Sequence, residues 1–318
     1  MLLINDLHRL IMERVSVIIC TYNPEPAIFE RCLQALSIAL QKTAVNEIII
    51  VDNNSTKKFH QLDFVLKFLE QNSNARIVTE LKQGLTPARL LGIKEAGGSL
   101  LVFIDDDNFI AADFFSKGIA VAQNNPNIGA WSGQVLLEFE RQPEPWTKKY
   151  WGLLVYREFN NDSWSNLPHL EATMPCGAGL FIRKNVAEFY LNLHETGKRN
   201  IQLDRTGKSL FSGGDNDMAA CACDIGLGVG LFHEIVVMHF IPSFRVEKEY
   251  LLKLAGGIAA STVVLKSYRS VGTAPLSFKN RVANGLRMAL KPKTDRSFFK
   301  AVLQGEEAGR ALAARNNK

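Results

Sequence analysis

Three consecutive carboxylates, Asp105, Asp106 and Asp107, directly follow the apolar run LLVFI at residues 100–104. Like charges this close repel one another, and each raises the pKa of its neighbours unless a positive charge lies between them. The sequence supplies no adjacent Lys or Arg. Two arrangements stay open: the carboxylates extend into water from a loop, or they share a cation. A turn needs only one such residue, whereas Mg²⁺ is held by carboxylates together with phosphate oxygens, so three acids favour a metal site.

A second acidic group lies in GGDND, at residues 213–217. We expect a helix to start after it, with Asp215 and Asp217 capping or complementing the helix N-terminus. An apolar stripe supports that helix and consists of Met218, Cys221, Ala222 and Ile225.

Four β-branched runs alternate with amphipathic segments between residue 15 and about residue 125. The runs cover residues 15–20, 47–51, 75–79 and 100–104. This alternation predicts an α/β fold with a mostly parallel sheet and helices on both faces. Such sheets bind ligands at the carboxyl ends of their strands, where TYN, DNNS and DDDN follow three of the runs. No GxGxxG follows the first run and no P-loop motif occurs, so neither motif holds a nucleotide here.

The rest of the chain suggests two further parts. From about 126 to 245, the sequence shifts toward tryptophan, glycine and polar loops, and strands are predicted in IGAWSGQVLLEFE and CGAGLFIRK. Beyond 246, three segments look helical and carry much of the positive charge. We therefore predict a main domain at 1–245, with halves at about 14–125 and 126–245, and a basic helical extension at 246–318. The basic residues of the extension are Lys248, Lys253, Lys266, Arg269, Lys279, Arg281, Arg287, Lys291 and Lys293.

Composition indicates the cellular compartment and the kinds of partner to expect. The net charge of +5 is mild, so the basic extension could contact an anionic membrane surface, or it could simply be a solvated helical face. Five cysteines without regular spacing suggest a reducing compartment. The N-terminus lacks the features of a signal peptide, and no apolar run is long enough to span a bilayer. We expect a cytoplasmic protein, with peripheral contact at the inner face of the membrane, and no nucleic-acid partner.

Taken together, these motifs resemble those of the inverting nucleotide-sugar glycosyltransferases of family 2, which have a GT-A type of fold. The resemblance covers about residues 14–245. It depends on four stretches that occur in order, namely VSVIICTYNP, IIIVDNNST, GLTPARLLGIKEAGGSLLVFIDDDNF, and SGGDNDMAACACDIGLGVG followed by HFIP. It implies a metal-dependent transferase that moves a sugar from a nucleoside diphosphate to an acceptor hydroxyl, in polysaccharide or glycolipid synthesis.

The resemblance implies nucleotide-binding roles at the first strand ends. Thr21 and Tyr22 match residues that cradle the nucleobase, and Tyr22 offers a stacking face. Asp52 and Asn53 fall where the family often has two acids that read the base and ribose. Asn53 departs from that pattern, which weakens the case for uracil, although a UDP-sugar stays the favoured donor. Arg89 matches a basic residue near the nucleotide.

The resemblance also implies where a metal binds. Asp105, Asp106 and Asp107 match the Asp-x-Asp motif, in which Asp107 is the expected ligand of Mg²⁺ or Mn²⁺ and its two neighbours face the nucleotide. His239 matches a histidine that lies near the metal or diphosphate in many relatives. A lone histidine is as often a structural hydrogen-bonding group, so both readings stay open for His239.

GGDND matches the place where the family keeps its general base. Asp215 is the expected base, because inverting displacement needs one carboxylate to deprotonate the acceptor hydroxyl. An alignment shifted by one residue would put Asn216 there and leave Asp215 in a supporting role. Gly214 and Asp217 are further candidates for support, and simple helix capping remains the alternative.

The small residues Gly177 and Ala178 in PCGAGLF match a segment that borders the donor sugar. Small side chains there let the backbone approach a ligand closely. A glycan or a lipid-linked molecule is the expected acceptor, and acceptor loops vary too much for the sequence to say which one.

Other functions fit parts of this pattern. A homologue that binds a nucleotide sugar without transferring it would explain Asn53, Leu90 and Gly214, which depart from the family pattern. A nucleotide-sugar pyrophosphorylase should carry a glycine-rich basic loop after the first strand, and CTYNPEPAIF has neither glycine nor a basic residue. A receiver module also has an acidic cluster at its strand ends, but it would be complete in under half of this length.

Overall fold

The computed structural model describes residues 13–169, 171–201, 203–205, 210–269, 287–288 and 290–316. A nine-stranded sheet runs through this part of the chain in the order β3-β2-β1-β4-β8-β6-β9-β5, with β7 paired to β9. The strands are β1 (Val15–Thr21), β2 (Glu47–Asp52), β3 (Ala75–Thr79), β4 (Leu100–Asp105), β5 (Asn108–Ile110), β6 (Ile128–Phe139), β7 (Ser163–Ser165), β8 (Leu180–Arg183) and β9 (Gly228–Ile241).

The sheet is mostly parallel, as the sequence predicts. Strands β1, β2, β3, β4, β6 and β9 run in one direction, and the short strands β5, β7 and β8 run in the other. Four of the predicted β-branched runs form β1 to β4 with bounds within one residue. Their side chains are almost wholly buried except in β3, which lies at the sheet edge.

Helices cover both faces of the sheet and bury two apolar cores. Before β9 the helices are α1 (Pro26–Lys42), α2 (Asp63–Gln71), α3 (Leu85–Glu95), α4 (Phe114–Asn124), α5 (Lys184–Glu195) and α6 (Gly214–Asp224). One core contains α1, α2 and α4 side chains, such as Phe29, Val65 and Phe114. The other contains α3, α5 and α6 side chains, such as Val186 and Met218. The predicted helices on both faces are confirmed.

The start of α6 corrects one prediction. The helix begins at Gly214, so Asp215 and Asp217 lie within its first turn rather than before it. No side chain caps this helix, because Gly213 occupies the N-cap position. The residues predicted to form an apolar stripe are buried through Ala222, but Ile225 is the C-cap residue and only partly buried. The two carboxylates are thus held by other contacts, described below.

Two long helices follow the sheet, α7 (Lys248–Tyr268) and α8 (Lys293–Asn316). They cross at glycines: a Cβ at Gly305 would lie 2.1 Å from the Gly256 carbonyl oxygen. Helix α7 also packs on the 3-10 segment Pro145–Leu154. Most of the predicted helical segment PLSFKNRVANGLRMALK lies outside the described residues. Within the described part of the chain, no helix has the length and apolarity needed to cross a membrane.

Candidate active site

The strand-end cavity, of about 780 Å³, opens where β1 and β4 end. Parallel strands end at the same edge of a sheet, so their last residues meet there. The register pairs Cys20 with Asp105 and Thr21 with Asp52. The lining residues are Cys20, Thr21, Tyr22, Asn53, Gln83, Gly84, Leu85, Ala88, Arg89, Asp105, Asp106, Asp107, Val155, Gly177, Ala178, Asp204, Arg205, Phe211, Ser212, Asp215, His239 and Arg245.

Each carboxylate of the Asp105–Asp107 cluster has a different neighbour. Burial raises the pKa of Asp105, and the charge of Arg89 partly offsets that effect. Asp106 accepts a hydrogen bond from the Thr21 hydroxyl. Burial, followed by the charge of Asp107, raises the pKa of Asp106 to about 7. The three acids are therefore partly buried in a polar cavity rather than dispersed in water.

His239 and Arg245 approach the third carboxylate of the cluster. Strand β5 pairs with β9 so that Asn108 lies opposite His239, which brings that ring beside Asp107. The His239 Nε2 and Asp107 Oδ2 atoms are 3.4 Å apart, and Arg245 Nη1 lies 3.2 Å from the same oxygen. Burial would raise the pKa of Asp107, but His239 and Arg245 outweigh it and hold that pKa below its usual value.

Two of these side chains, Asp107 and His239, could hold a divalent cation, although the described residues contain no group of three or more His, Cys, Asp and Glu side chains arranged around one. His239 Nδ1 lies 3.2 Å from the Leu154 carbonyl oxygen, which can only accept, so Nδ1 carries a proton. The other ring nitrogen, Nε2, faces Asp107, and a hydrogen bond of this kind at Nδ1 orients metal-binding histidines. Arg245 Nη1 lies within 3.3 Å of Nε2 as well. Two protein ligands would suit Mg²⁺ or Mn²⁺, since substrate phosphate oxygens would supply the others.

A buried ion pair forms the floor of the cavity. Arg89 Nη1 lies 3.3 Å from Asp204 Oδ2, and both side chains are 5% exposed. Asp204 also accepts hydrogen bonds from the Thr86 hydroxyl and the Gly214 amide. Burial would lower the pKa of Arg89, but Asp204, followed by Asp215, raises it instead. Arg89 therefore keeps its charge beside the cavity.

Asp215 reaches the cavity from the first turn of α6. Its Oδ2 atom accepts the Gly177 amide at 2.6 Å, and Oδ1 accepts the Asn216 amide at 2.9 Å. A Cβ at Gly177 would lie 2.7 Å from Arg89 Nη2 and 3.1 Å from Asp215 Oδ2, so only glycine permits this approach. A carboxylate oxygen has two lone pairs, so each oxygen can still accept a proton from a bound hydroxyl.

The residues predicted to bind the nucleotide differ in whether their polar groups are available to the cavity. Thr21 and Tyr22 line the cavity, and the Tyr22 ring is 48% exposed at its rim. Asn53 lines it too, but its amide donates to the Glu80 and Lys82 carbonyls and its oxygen accepts the Gly84 amide. Its polar atoms thus hold the loop before α3.

Asp52 is the one predicted nucleotide residue that does not line the cavity. It accepts the Ser55 amide at 2.9 Å and is 8% exposed. That contact closes the turn after β2, so the described geometry gives Asp52 a role in shaping the rim.

Of the residues predicted to support the site, some line the cavity and others do not. Gly177 and Ala178 line the strand-end cavity, whereas Gly214, Asn216 and Asp217 do not. Gly214 is needed for packing, since a Cβ there would lie 2.3 Å from Asp204 Oδ2. Asn216 donates to the Pro175 carbonyl. These two residues hold the segments on either side of Asp215.

Asp217 lies in a separate buried ion-pair network. It contacts Arg199 Nε at 2.7 Å and Arg269 Nη1 at 2.9 Å. Arg269 also pairs with Asp224. This network links the end of α7 to α6. It gives Asp217, the second acid of GGDND, a structural role away from the cavity.

Several cavity residues carry little signal in the sequence. Asp204 and Arg205 lie in a loop without a motif, and only the contact with Arg89 reveals Asp204. The sequence leaves two readings open for Arg245, a phosphate contact or a surface charge, and the side chain is buried, with 7% exposed. Val155 lines the cavity with φ at +70°, a strained value for a β-branched residue that is often found at functional sites.

Comparisons of the sequence agree with this geometry. Residues 16–190 match the family model described as Glycosyl transferase family 2. The chain is 30% identical over 112 residues to Uncharacterized glycosyltransferase EpsJ of Bacillus subtilis, covering 35% of this chain and 31% of that protein. It is 25% identical over 230 residues to Glycosyltransferase AglE of Haloferax volcanii, covering 71% of this chain and 66% of that protein. The matched region thus covers less than two thirds of these relatives.

The fold also has a counterpart among solved structures. A crystal structure of GalNAc-T7 with UDP, GalNAc and Mn²⁺ superposes with a TM-score of 0.54 at 13% identity, covering 81% of this chain and 51% of that one. At this identity the likeness concerns the fold alone. It confirms the GT-A-like sheet that the sequence predicts.

Proposed function

Because the chain belongs to glycosyl transferase family 2, we propose that it is a metal-dependent inverting transferase acting on a nucleoside diphosphate sugar. One observation carries this proposal. The strand-end cavity is lined by Arg89, by a carboxylate cluster suited to a diphosphate-bound cation, and by a separate carboxylate, Asp215, with unused lone pairs.

Asp215 is the proposed general base. Inversion requires a carboxylate on the face of the sugar opposite the leaving group, where it takes the proton of the acceptor hydroxyl. The Gly177 amide donates a hydrogen bond of 2.6 Å to Asp215 Oδ2, which fixes the direction of the carboxylate. Arg89 lies beside the base and keeps its positive charge.

Asp107 and His239 are the proposed protein ligands of Mg²⁺ or Mn²⁺. When bound, such a cation would neutralise charge on the leaving nucleoside diphosphate. Arg245 lies beside both ligands and supplies a second positive charge for the diphosphate. Asp105 and Asp106 complete the acidic wall of this part of the cavity. The GalNAc-T7 structure, which contains UDP and Mn²⁺, supports a cation of this kind.

The donor is proposed to be a UDP-sugar. The exposed Tyr22 ring at the cavity rim is placed to stack on a base, and Thr21 lies beside it. The UDP of GalNAc-T7 supports this assignment. Gly177 and Ala178 would border the sugar, where their small size leaves space next to Asp215.

Nucleotide titration tests the donor and the metal together. UDP, GDP and dTDP would be titrated calorimetrically, each with Mn²⁺ and with EDTA. The proposal expects UDP to bind with Mn²⁺ and to lose most of its affinity in EDTA. Binding of none of the three nucleotides would favour a homologue that has lost transfer.

The anomeric configuration of the product tests inversion. Sugar transfer with a UDP-sugar and a hydroxyl acceptor would be followed by proton NMR, in which the anomeric coupling constant separates the two configurations. Inversion relative to the donor is expected. Retention would exclude Asp215 as a base that acts in one displacement.

A further inference from the structure

A second cavity is lined by residues that adjoin the strand-end cavity in sequence, among them Asn216, the residue after Asp215. This side cavity has a volume of about 350 Å³. Residues of α6, of α7 and of the loop before β8 form its walls. Its walls include the apolar side chains of Met174, Ile258 and Leu265. It is thus large enough for a small group together with part of a carbon chain.

The two cavities are bordered by neighbouring residues of the same short segments, one of which contains the proposed base. Three segments, 152–155, 174–178 and 215–216, each contribute residues to both cavities. Gly152, Met174 and Asn216 line the side cavity, whereas Val155, Ala178 and Asp215 line the strand-end cavity. A molecule held in the side cavity would therefore lie next to the carboxylate that must meet the acceptor hydroxyl.

The two cavities differ in charge, because the strand-end cavity combines acidic and basic side chains whereas the charged side chains described in the side cavity are all basic. The strand-end cavity is lined by five carboxylates. The side cavity is lined by Arg157, Lys266, Arg269 and His169, and by no Asp or Glu among the described residues. Arg269 is committed to carboxylates of α6. Arg157 donates to the carbonyl of Met174, which is a neutral group and does not offset the guanidinium charge.

We propose that the side cavity is the acceptor subsite and that it binds a phosphate group carried by the acceptor. This inference rests on the transferase function proposed above. Arg157 and Lys266 recognise the phosphate, because a guanidinium and an ammonium together match its charge and its oxygens. The apolar side chains contact the carbon skeleton, and the acceptor hydroxyl lies on the side of Asn216 and Asp215.

Binding of glycerol 1-phosphate tests the subsite without requiring transfer. Its affinity would be measured by calorimetry with and without saturating UDP and Mn²⁺, and uncharged glycerol serves as the matched ligand. We expect glycerol 1-phosphate to bind in both conditions and glycerol not to bind. Displacement of glycerol 1-phosphate by UDP would place it in the strand-end cavity and overturn the proposal.

Charge-removing variants locate the site. We expect Arg157→Gln and Lys266→Gln each to weaken glycerol 1-phosphate at least tenfold. Lys253→Gln, on an exposed position of the same helix, should leave it unchanged. UDP affinity should stay within twofold in all three variants, which shows that they fold. If both Lys266→Gln and Arg157→Gln bind glycerol 1-phosphate as tightly as the wild type does, the proposal is overturned. If the wild type binds glycerol 1-phosphate but not UDP, only the proposed transferase function is overturned.

Vesicle flotation identifies the source of the phosphate. Vesicles of phosphatidylglycerol would be compared with vesicles of phosphatidylcholine, for the wild type and for Lys266→Gln. Flotation with phosphatidylglycerol that the variant loses supports a lipid acceptor. Glycerol 1-phosphate binding without such flotation supports a soluble phosphate-bearing acceptor.

Discussion

Arg245 Nη1 lies 3.2 Å from Asp107 Oδ2, so a buried arginine contacts the carboxylate proposed to bind the metal. The same nitrogen lies 3.3 Å from His239 Nε2. The guanidinium thus lies beside both proposed ligands and neutralises the charge of Asp107 when no divalent cation is bound. Arginine cannot lose its proton in a protein, so a cation must compete with a permanent positive charge.

Removing that charge should strengthen metal binding in the absence of nucleotide. We expect Arg245→Gln to tighten Mn²⁺ binding severalfold, because the carboxylate and the imidazole lose a competing cation. The same variant should weaken UDP, since a charge near the diphosphate is lost. Mn²⁺ affinity from electron paramagnetic resonance measures the first effect. Arg31→Gln, which breaks an exposed ion pair with Glu138, is the control, and equal Mn²⁺ affinity in both variants would contradict the competition.

Removing the proposed base should abolish transfer and spare donor binding. Asp215→Asn keeps the shape of the side chain but cannot take a proton, and general base catalysis typically contributes about 10²–10⁴-fold to rate. We expect kcat to fall by about that factor, with UDP affinity within twofold of the wild type. Asp113→Asn, at an exposed helix start, should retain full activity. Activity near the wild-type level in Asp215→Asn would assign the proton transfer to another group.

Adding a single methyl group at Gly177 should disturb the arrangement of Arg89 and Asp215. Gly177→Ala places a Cβ at 2.7 Å from Arg89 Nη2 and 3.1 Å from Asp215 Oδ2, so one of the two must move. We expect kcat to fall by about tenfold to a hundredfold, because misplacement of reacting groups by about 1 Å costs that much. In Gly97→Ala the new Cβ meets only Glu47 Oε1 at 3.4 Å, so its kcat should be unchanged. Equal kcat in the two variants would show that this contact is not needed.

The ion pair between Arg89 and Asp204 should matter more for stability than any exposed pair. Asp204→Asn leaves a buried guanidinium without its carboxylate, and breaking a buried pair in this way costs about 3–5 kcal/mol. The exposed pair of Arg31 and Glu138 should cost about 1 kcal/mol or less when Glu138→Gln breaks it. Urea unfolding of both variants measures the difference. A loss in Asp204→Asn as small as that in Glu138→Gln would mean that water reaches Arg89.

Glu47 should make the sheet sensitive to acid. Its carboxylate accepts hydrogen bonds from Ser16, Arg76 and Gly97. Burial would raise the pKa of Glu47, but these contacts outweigh it and lower that pKa. A lowered pKa in the folded state contributes stability above the unfolded pKa of about 4.3, and that stability is lost as the pH falls further. Glu47→Gln should therefore be less stable at pH 7 by about 1–3 kcal/mol, and the difference from the wild type should shrink below pH 4.3 in denaturant titrations. A difference independent of pH would assign the effect to packing.

The sequence by itself determined the first half of the fold and the location of the acidic cluster. Runs of β-branched residues and amphipathic segments have periods that depend only on local backbone geometry, so β1 to β4 and their helices could be predicted closely. A parallel sheet puts its strand ends on one edge, which was enough to group Thr21 with Asp105, Asp106 and Asp107. The motifs also indicated Asp215 and His239, and both line the same cavity.

Only the tertiary structure decided which charges meet. Asp204 and Arg245 are distant in sequence from their partners Arg89 and Asp107, and no local pattern encodes an ion pair across such a separation. Asp215 and Asp217 are two residues apart and look equivalent in the sequence, yet one lines the cavity and the other is buried between Arg199 and Arg269. The reason is physical: residues two apart on a helix face different sides, and the packing of α7 against α6 determines which side becomes the site.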